Sequence, residues 1–280
     1  MARQLKRVAV RVNPVSRHRK EQIIGLGEDW HFRLDPKDEG QRRKWFTKPA
    51  LFKDEIAVPG TWQGQGFGDD GTDYIWDFQL HRRTFRATYT GTGWYAKSFS
   101  VPEAWRGKRI WLNFGAAYPF AEVYLNGEKI GDHNEPFVPF GFDVTSRLKE
   151  NGENFCTVRI SEKDRVYGLS FNCRGNWSGL YRAVELSATG EVFMDRCWLH
   201  PDVDKQKLRC TIQAAGGSRN DELTVAVAVR EKGRKPVAKA TRTFKTDKEL
   251  TFDVPVPDPL LWSPENPYLY TVDVVVRRGN

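Results

Sequence analysis

Apolar and polar residues alternate with a period of two along most of the readable length of this chain, the pattern of strands buried on one face. Cys156, Val158 and Ile160 alternate with Thr157 and Arg159, and Leu208, Cys210 and Ile212 alternate with Arg209, Thr211 and Gln213. Leu223, Val225, Val227 and Val229 repeat the spacing, as do Tyr270, Val272, Val274 and Val276. Between Ala121 and Ile130 the dipeptide Asn126-Gly127 interrupts Val-Tyr-Leu and Glu-Lys-Ile, and both residues tolerate the positive φ of a type I′ hairpin. No stretch of about 12 residues or more carries a helical period with caps, which disfavours parallel α/β folds, including the phosphate-binding Rossmann type. The expected class is all-β: stacked antiparallel sheets with Greek-key or jelly-roll connections.

A chain of 280 residues suits two domains better than one. Aromatic-rich, irregular sequence gives way to regular alternation near Ser187 to Glu191, so the boundary is placed there. The expected division is a basic extension over 1–26, a jelly-roll sandwich over 27–188, and an immunoglobulin-like sandwich over 189–280. The last piece is close to the ~100 residues of such a domain, without the Cys-Trp-Cys hallmark of antibodies.

A net charge of +8 invites a nucleic-acid reading, yet its distribution argues otherwise. Arg3, Lys6, Arg7, Arg11, Arg17, Arg19 and Lys20 crowd the amino terminus with no acid among them. Subtracting these seven from 44 leaves 37 basic against 36 acidic residues, a nearly neutral body. The tail reads as a solvated or packing extension, with contact to an anionic partner as the alternative. No nucleic-acid partner is expected. No apolar run approaches the ~20 residues of a membrane span, so no membrane partner is expected either. The amino terminus lacks the apolar core and cleavage site of a secretory signal, and localisation is left open.

Cys156, Cys173, Cys197 and Cys210 show no paired short spacing of the zinc-binding kind, and no metal or cofactor is expected. Reduced, packed thiols are the main reading. The alternative is a cross-strand disulfide, since Cys197 and Cys210 flank Pro201-Asp202-Val203-Asp204 and a symmetric hairpin would set them opposite each other. Asp69, Asp70 and Asp73 cluster in a Gly-rich stretch whose crowding is ordinary turn chemistry. They lack the ordered ligand pattern of a calcium loop.

Ten Trp, nine Tyr and 17 Phe matter because an aromatic ring can stack on the C–H face of a pyranose while its polar edge meets hydroxyls. Trp94, Trp111 and Tyr124 stand in strand-like alternation and read as packing. Trp62, Tyr74 and Trp76 lie in or beside expected loops, where sugar contact competes with packing.

Several strings, in this order, resemble the amino-terminal region of family 2 glycoside hydrolases, the group of β-galactosidases, β-glucuronidases and β-mannosidases. They are Trp30-His31-Phe32-Arg33-Leu34-Asp35, Val58-Pro59-Gly60-Thr61-Trp62, and Gly93-Trp94-Tyr95-Ala96-Lys97-Ser98-Phe99. In the last of these the family's usual arginine pair is reduced to Lys97 alone. Gly107-Lys108-Arg109, Ala121 to Gly127, Pro139 to Thr145, Gly179-Leu180-Tyr181-Arg182 with Val184-Glu185-Leu186, and Leu261 to Tyr270 continue the series. Each string has a structural reason to occur in any sandwich. Their collinearity, roughly from 27 to 278, carries the resemblance.

The resemblance implies a retaining hydrolysis whose acid/base and nucleophile carboxyls stand about 5 Å apart in a TIM barrel that follows the immunoglobulin-like domain. The sequence ends at Asn280, where that barrel would begin, so no catalytic residue is assigned and these 280 residues alone are expected to be inactive. The implied partners are carbohydrate, bound weakly, and the barrel of the same protein, with homo-oligomerisation left open. The segment Asn172-Cys173-Arg174-Gly175-Asn176-Trp177 corresponds to a loop that reaches toward the barrel in galactosidase- and glucuronidase-like members. Asn172, Arg174, Asn176 and Trp177 are therefore the candidate sugar-facing residues, with Trp62 and Trp76 as neighbours. A satisfied loop amide and a core tryptophan are the alternative readings of Asn176 and Trp177. Cys173 stands where an aspartate is frequent in those members, so the resemblance does not choose the sugar. An independent carbohydrate-binding module and a structural or oligomerisation protein are the competing functions.

Overall fold

The computed structural model describes residues 22–68, 73–76, 81–84, 89, 91–149, 152–162, 178–218, 220–231 and 235–278. The basic tail, Asp69, Asp70, Cys173 and the 172–177 segment lie outside the described residues. Among those described there is no α-helix, only short 3-10 turns between strands, as the missing helical period predicts. The chain divides into two compact units, with the break between Ala188 and Thr189.

In the first unit the strands are β1 (Ile23–Gly25), β2 (Trp30–Leu34), β3 (Asp54–Ile56), β4 (Asp73–Trp76), β5 (His81–Thr84) and β6 (Thr92–Phe99). They continue as β7 (Arg109–Phe114), β8 (Phe120–Leu125), β9 (Glu128–His133), β10 (Phe140–Asp143), β11 (Asn154–Ser161) and β12 (Val184–Thr189). A four-stranded sheet, β1-β12-β7-β10, and a six-stranded sheet, β3-β2-β6-β11-β8-β9, make a sandwich, with β4 and β5 as a separate hairpin. Trp30, Phe32, Val123, Val158 and Ile160 of one sheet share a core with Leu112, Phe114, Phe140, Val184 and Leu186 of the other. Val158 lies opposite both Tyr95 and Val123 across the six-stranded sheet. The Asn126-Gly127 turn joins β8 to β9 with φ of 51° and 87°, as a type I′ turn requires.

Burial on only one face is corrected for β11: Thr157 and Arg159, the polar partners in the alternation, are buried too. The reason is a cover over the outer face, formed by the chain between β2 and β3. Trp45 and Phe52 from this cover cluster with Trp94, Ala96 and Tyr124, and Phe46 stacks on Tyr124 at 4.5 Å between centroids. Asp35, itself buried, fixes the start of the cover by accepting from the backbone N–H of Glu39 and Gly40 and from Trp94 Nε1, at 2.9, 2.9 and 3.0 Å. Trp94, Trp111 and Tyr124 are buried, as their alternation implies.

The second unit contains β13 (Phe193–Asp202), β14 (Lys207–Ala215), β15 (Glu222–Glu231), β16 (Pro236–Lys245), β17 (Glu249–Pro255) and β18 (Tyr270–Arg278). Two three-stranded sheets, β13-β14-β17 and β16-β15-β18, form this sandwich. Leu208, Cys210 and Ile212 of β14 meet Leu223, Val225, Val227 and Val229 of β15 in its core, so their alternation does mark the buried face.

The Cys197–Cys210 pairing is corrected. Cys197 lies opposite Ile212 and Cys210 opposite Leu199, and both thiols are free. The turn is centred one residue later than a hairpin that sets Cys197 opposite Cys210 requires. Asp202 pairs with Lys207, Gln206 takes φ of 48°, and the Asp202 carboxylate accepts from Lys205 N at 3.2 Å. Turn chemistry thus fixes the register and separates the cysteines by one diagonal step.

Candidate functional site

The described residues on either side of the 163–177 segment are Glu162, continuing from β11, and Ser178, leading toward β12. The chain after β3 holds both. In it Gln65 braces the turn, donating to the carbonyls of Ala57 and Thr61 at 3.0 and 3.3 Å and accepting from Ala57 N at 2.8 Å. The braced backbone then donates from Gly60 N to Leu180 O at 2.9 Å and from Trp62 N to Ser178 O at 3.0 Å.

Gln63 is buried at the centre of the arrangement. Its carbonyl oxygen accepts from Ser178 N at 2.8 Å, while Nε2 donates to Tyr89 O at 2.9 Å and to Glu162 Oε1 at 3.2 Å. The same Glu162 oxygen accepts from Ser178 Oγ, and Glu162 N donates to Gly91 O at 2.9 Å. One carboxamide and one carboxylate therefore join the two flanks of the segment. Gly179 completes the second flank by exchanging backbone hydrogen bonds with Tyr118 at 2.9 and 3.0 Å. It must be glycine: φ is 137°, and a Cβ would lie 2.4 Å from the Tyr95 hydroxyl.

Tyr89 closes the inner side, donating from its hydroxyl to Thr92 O at 2.9 Å and accepting from Thr92 N at 3.1 Å. Burial pushes its pKa upward against the lowering effect of the Thr92 contact, with further upward pressure from Asp35, Glu162 and Asp38. This end of the six-stranded sheet is thus a hydrogen-bonded frame. The contacts described for Gln63, Ser178 and Tyr89 hold backbone together, which is the chemistry of a scaffold.

Of the residues expected from sequence, Asn172, Arg174, Asn176 and Trp177 lie outside the described residues. Trp62 is fully buried, its ring 5.8 Å from Phe32 and 6.2 Å from Tyr89 between centroids. Turning it out to meet a sugar would forfeit roughly 3 kcal/mol of burial, so its part here is packing. Trp76 ends β4 opposite His81 in the separate hairpin, and its side chain is outside the description. Gln63, Glu162, Ser178 and Tyr89 are not singled out by sequence. Their one signal is adjacency: Gln63 follows the Val58 to Trp62 string, and Ser178 precedes Gly179-Leu180-Tyr181-Arg182. A cavity of about 380 Å³ in the second unit is lined largely by apolar side chains including Leu199, Val229, Leu261, Trp262 and Leu269. It offers little to sugar hydroxyls. Among the described residues no group of His, Cys, Asp or Glu is arranged to hold a metal.

Residues 23–190 match the family described as "Glycosyl hydrolases family 2, sugar binding domain", and residues 192–280 match "Glycosyl hydrolases family 2". A β-galactosidase of Clostridium acetobutylicum is 29% identical over 265 residues, covering 90% of this chain and 29% of its own length. A β-glucuronidase of Paenibacillus borealis is 25% identical over 276 residues, covering 90% of this chain and 42% of its own. The solved structure of a β-glucuronidase from an uncultured Clostridium superposes with a TM-score of 0.66 at 27% identity, over 91% of this chain and 43% of that one. The chain spans less than half the length of the relatives it matches.

Proposed function

Because the chain belongs to glycosyl hydrolase family 2, we propose that its 280 residues serve as the non-catalytic front of a retaining β-glycosidase, scaffolding and partly lining a sugar site whose reacting carboxyls lie elsewhere. The observation that carries this reading is the match of both sandwiches, in order, to that family, with only antiparallel strands and short turns among the described residues. Retaining hydrolysis needs an acid/base and a nucleophile carboxyl about 5 Å apart, which the family's barrel would supply.

The sugar-facing groups in this reading are Asn172, Arg174, Asn176 and Trp177, whose amides, guanidinium and indole suit hydroxyls and a pyranose face. What supports their placement is the frame just described, which fixes the flanks of the 163–177 segment. If one wall of the site is built by residues outside these 280, free sugars should bind the 280-residue chain at about millimolar dissociation constants or weaker. Titration of the ¹⁵N-labelled chain with galactose, glucuronic acid and mannose tests this, read at the Trp177 indole and the Asn176 amide. Saturable binding on another face, unchanged in folded Asn176→Ala and Trp177→Ala variants, would favour an independent carbohydrate-binding module instead.

A further inference from the structure

We propose that a cleft at one end of the first unit binds anionic saccharides, that is, a hydroxylated ring bearing a carboxylate or sulfate. The cleft has a volume of about 610 Å³ and lies between the β6–β7 connection and the turn that follows β10. In the six-stranded sheet β6 and β11 run antiparallel, with Thr92 opposite Ser161 at one end and Phe99 opposite Asn154 at the other. The Gln63 frame stands at the Thr92 end and the cleft at the Phe99 end. The eight residues of β6, about 23 Å of strand, separate them.

Hydrogen bonds within the unit hold both walls. On one side Trp105 N donates to Pro102 O at 2.9 Å and Lys108 N to Trp105 O at 3.0 Å, which closes the turn that leads into β7. On the other, Thr145 Oγ1 accepts from Ile110 N at 2.9 Å and donates to the Asp143 carboxylate at 2.6 Å. Asn126 reaches in from the β8–β9 turn to donate to Arg147 O at 3.0 Å, and Lys149 N donates to Asn154 Oδ1 at 2.9 Å. A ligand therefore meets walls already ordered, which lowers the entropic cost of binding. The volume lies within the range of small-molecule sites.

Floor and rim differ in chemistry. Trp105 and Ile110 are buried beneath the cleft and Val101 and Leu148 are half-buried, so the floor is apolar. Ser100, Glu103, Arg106, Lys108 and Lys149 contribute the polar lining. Glu103 lies 3.6 Å from Arg106, leaving that pair near neutral, whereas Lys108 and Lys149 have no carboxylate partner among the described residues. A Cβ added at Gly107 or Gly152 would meet nothing within 4 Å, so the backbone there is open to a ligand. An anionic sugar matches each part: its C–H face the aliphatic floor, its hydroxyls Ser100 and Glu103, and its oxyanion the two ammonium groups. Trp105 is only 4% exposed and presents no ring face, so the base of a nucleotide would find no stacking partner in it.

Titration of the ¹⁵N-labelled 280-residue chain with glucuronic acid, glucose 6-sulfate, glucose and inorganic sulfate tests the site. At least one of the two anionic sugars should saturably shift the Trp105 indole and the Gly107 and Gly152 amides, and which of them does so tells a carboxylate site from a sulfate site. Glucose should bind about fivefold more weakly or less tightly still, and Lys108→Met and Lys149→Met, which keep the aliphatic stem without the charge, should each cost about threefold in affinity. Failure of both anionic sugars to shift these resonances overturns the proposal, as does binding that is unchanged in both folded variants. Glucose binding as tightly as the anionic sugars removes the role of the charge and overturns it too. Inorganic sulfate binding as tightly as they do would show a simple ion site and overturn the saccharide assignment. Shifts confined to the Asn176 amide and Trp177 indole would place the sugar at the site proposed above and leave this cleft without a ligand.

Discussion

Arg159 and Glu122 are cross-strand partners on β11 and β8, with guanidinium NH1 2.9 Å from a carboxylate oxygen and both side chains under a tenth exposed. Asp38 meets the other guanidinium nitrogen at 3.0 Å, Lys129 meets Glu122 at 2.7 Å, and Gln41 donates to Glu122. Since Asp38 and Gln41 belong to the cover and the others to the sheet, the cluster fastens one to the other. Arg159→Met leaves Glu122 and Asp38 without their shared cation in a largely buried place. The expected loss is about 3 kcal/mol, read from urea unfolding. The double variant Arg159→Met with Glu122→Gln should recover part of it. A loss equal to or greater than that of the single variant would show that the pair does not act as a unit.

Gly179→Ala places a methyl 2.4 Å from the Tyr95 hydroxyl and 2.9 Å from Gly60 O, at a φ that other residues seldom adopt. The expected destabilisation is about 2 kcal/mol, within the range for overpacking and strain. In a Tyr95→Phe background the worst contact is gone, so the same change should cost less. Equal losses in both backgrounds would place the strain in the backbone alone.

His133 packs face to face on Phe140 at 4.0 Å between centroids, with Nε2 donating to Glu135 O at 2.7 Å and Val138 O at 3.2 Å. Burial lowers its pKa below the ordinary 6.5, outweighing those carbonyls and the nearby Glu135 and Asp132. The unfolded chain therefore takes up a proton more readily than the folded one. This contribution to stability is complete above pH ~6.5 and declines as pH falls from there toward the folded pKa. His133→Gln should shrink the difference in Tm between about pH 7.5 and pH 5.5 relative to the wild type. An unchanged difference would remove His133 from the acid response.

The cysteines give a chemical test of the register. Burial pushes the Cys210 thiol up to about 11 and raises those of Cys156 and Cys197 as well. Thiolate is the reactive form, so Cys156 and Cys210 should escape iodoacetamide near pH 8 in the native chain and react once it is unfolded. Peptide masses after unfolding without reductant should show Cys197 and Cys210 each carrying its own label. A linked peptide containing both would contradict the free thiols of the structure.

If the reacting carboxyls lie outside these 280 residues, as proposed, the purified chain should release no nitrophenol from aryl β-galactosides, β-glucuronides, β-mannosides or β-glucosides. Turnover abolished by changing a carboxylate within these 280 residues would reverse that conclusion.

The sequence alone determined the strands and their buried faces wherever period two is regular: Leu208, Cys210 and Ile212 of β14, the four apolar residues of β15, and the Asn126-Gly127 hairpin all lie as the pattern requires. These are local matters, settled by side-chain parity and by which residues accept positive φ. Only the tertiary structure decided the rest. The cover that buries Arg159 and Thr157 draws on Trp45, Phe46 and Phe52, which stand in short turns with no period to read. Trp62 reads as a loop residue and packs in the core, because its backbone N–H finds its acceptor, Ser178 O, more than a hundred residues away in the chain. The frame of Gln63, Glu162 and Ser178 is invisible for the same reason: each is an unremarkable polar residue, and its role exists only once folding has brought the stretches of Glu162 and Ser178 within 3.2 Å of the Gln63 carboxamide.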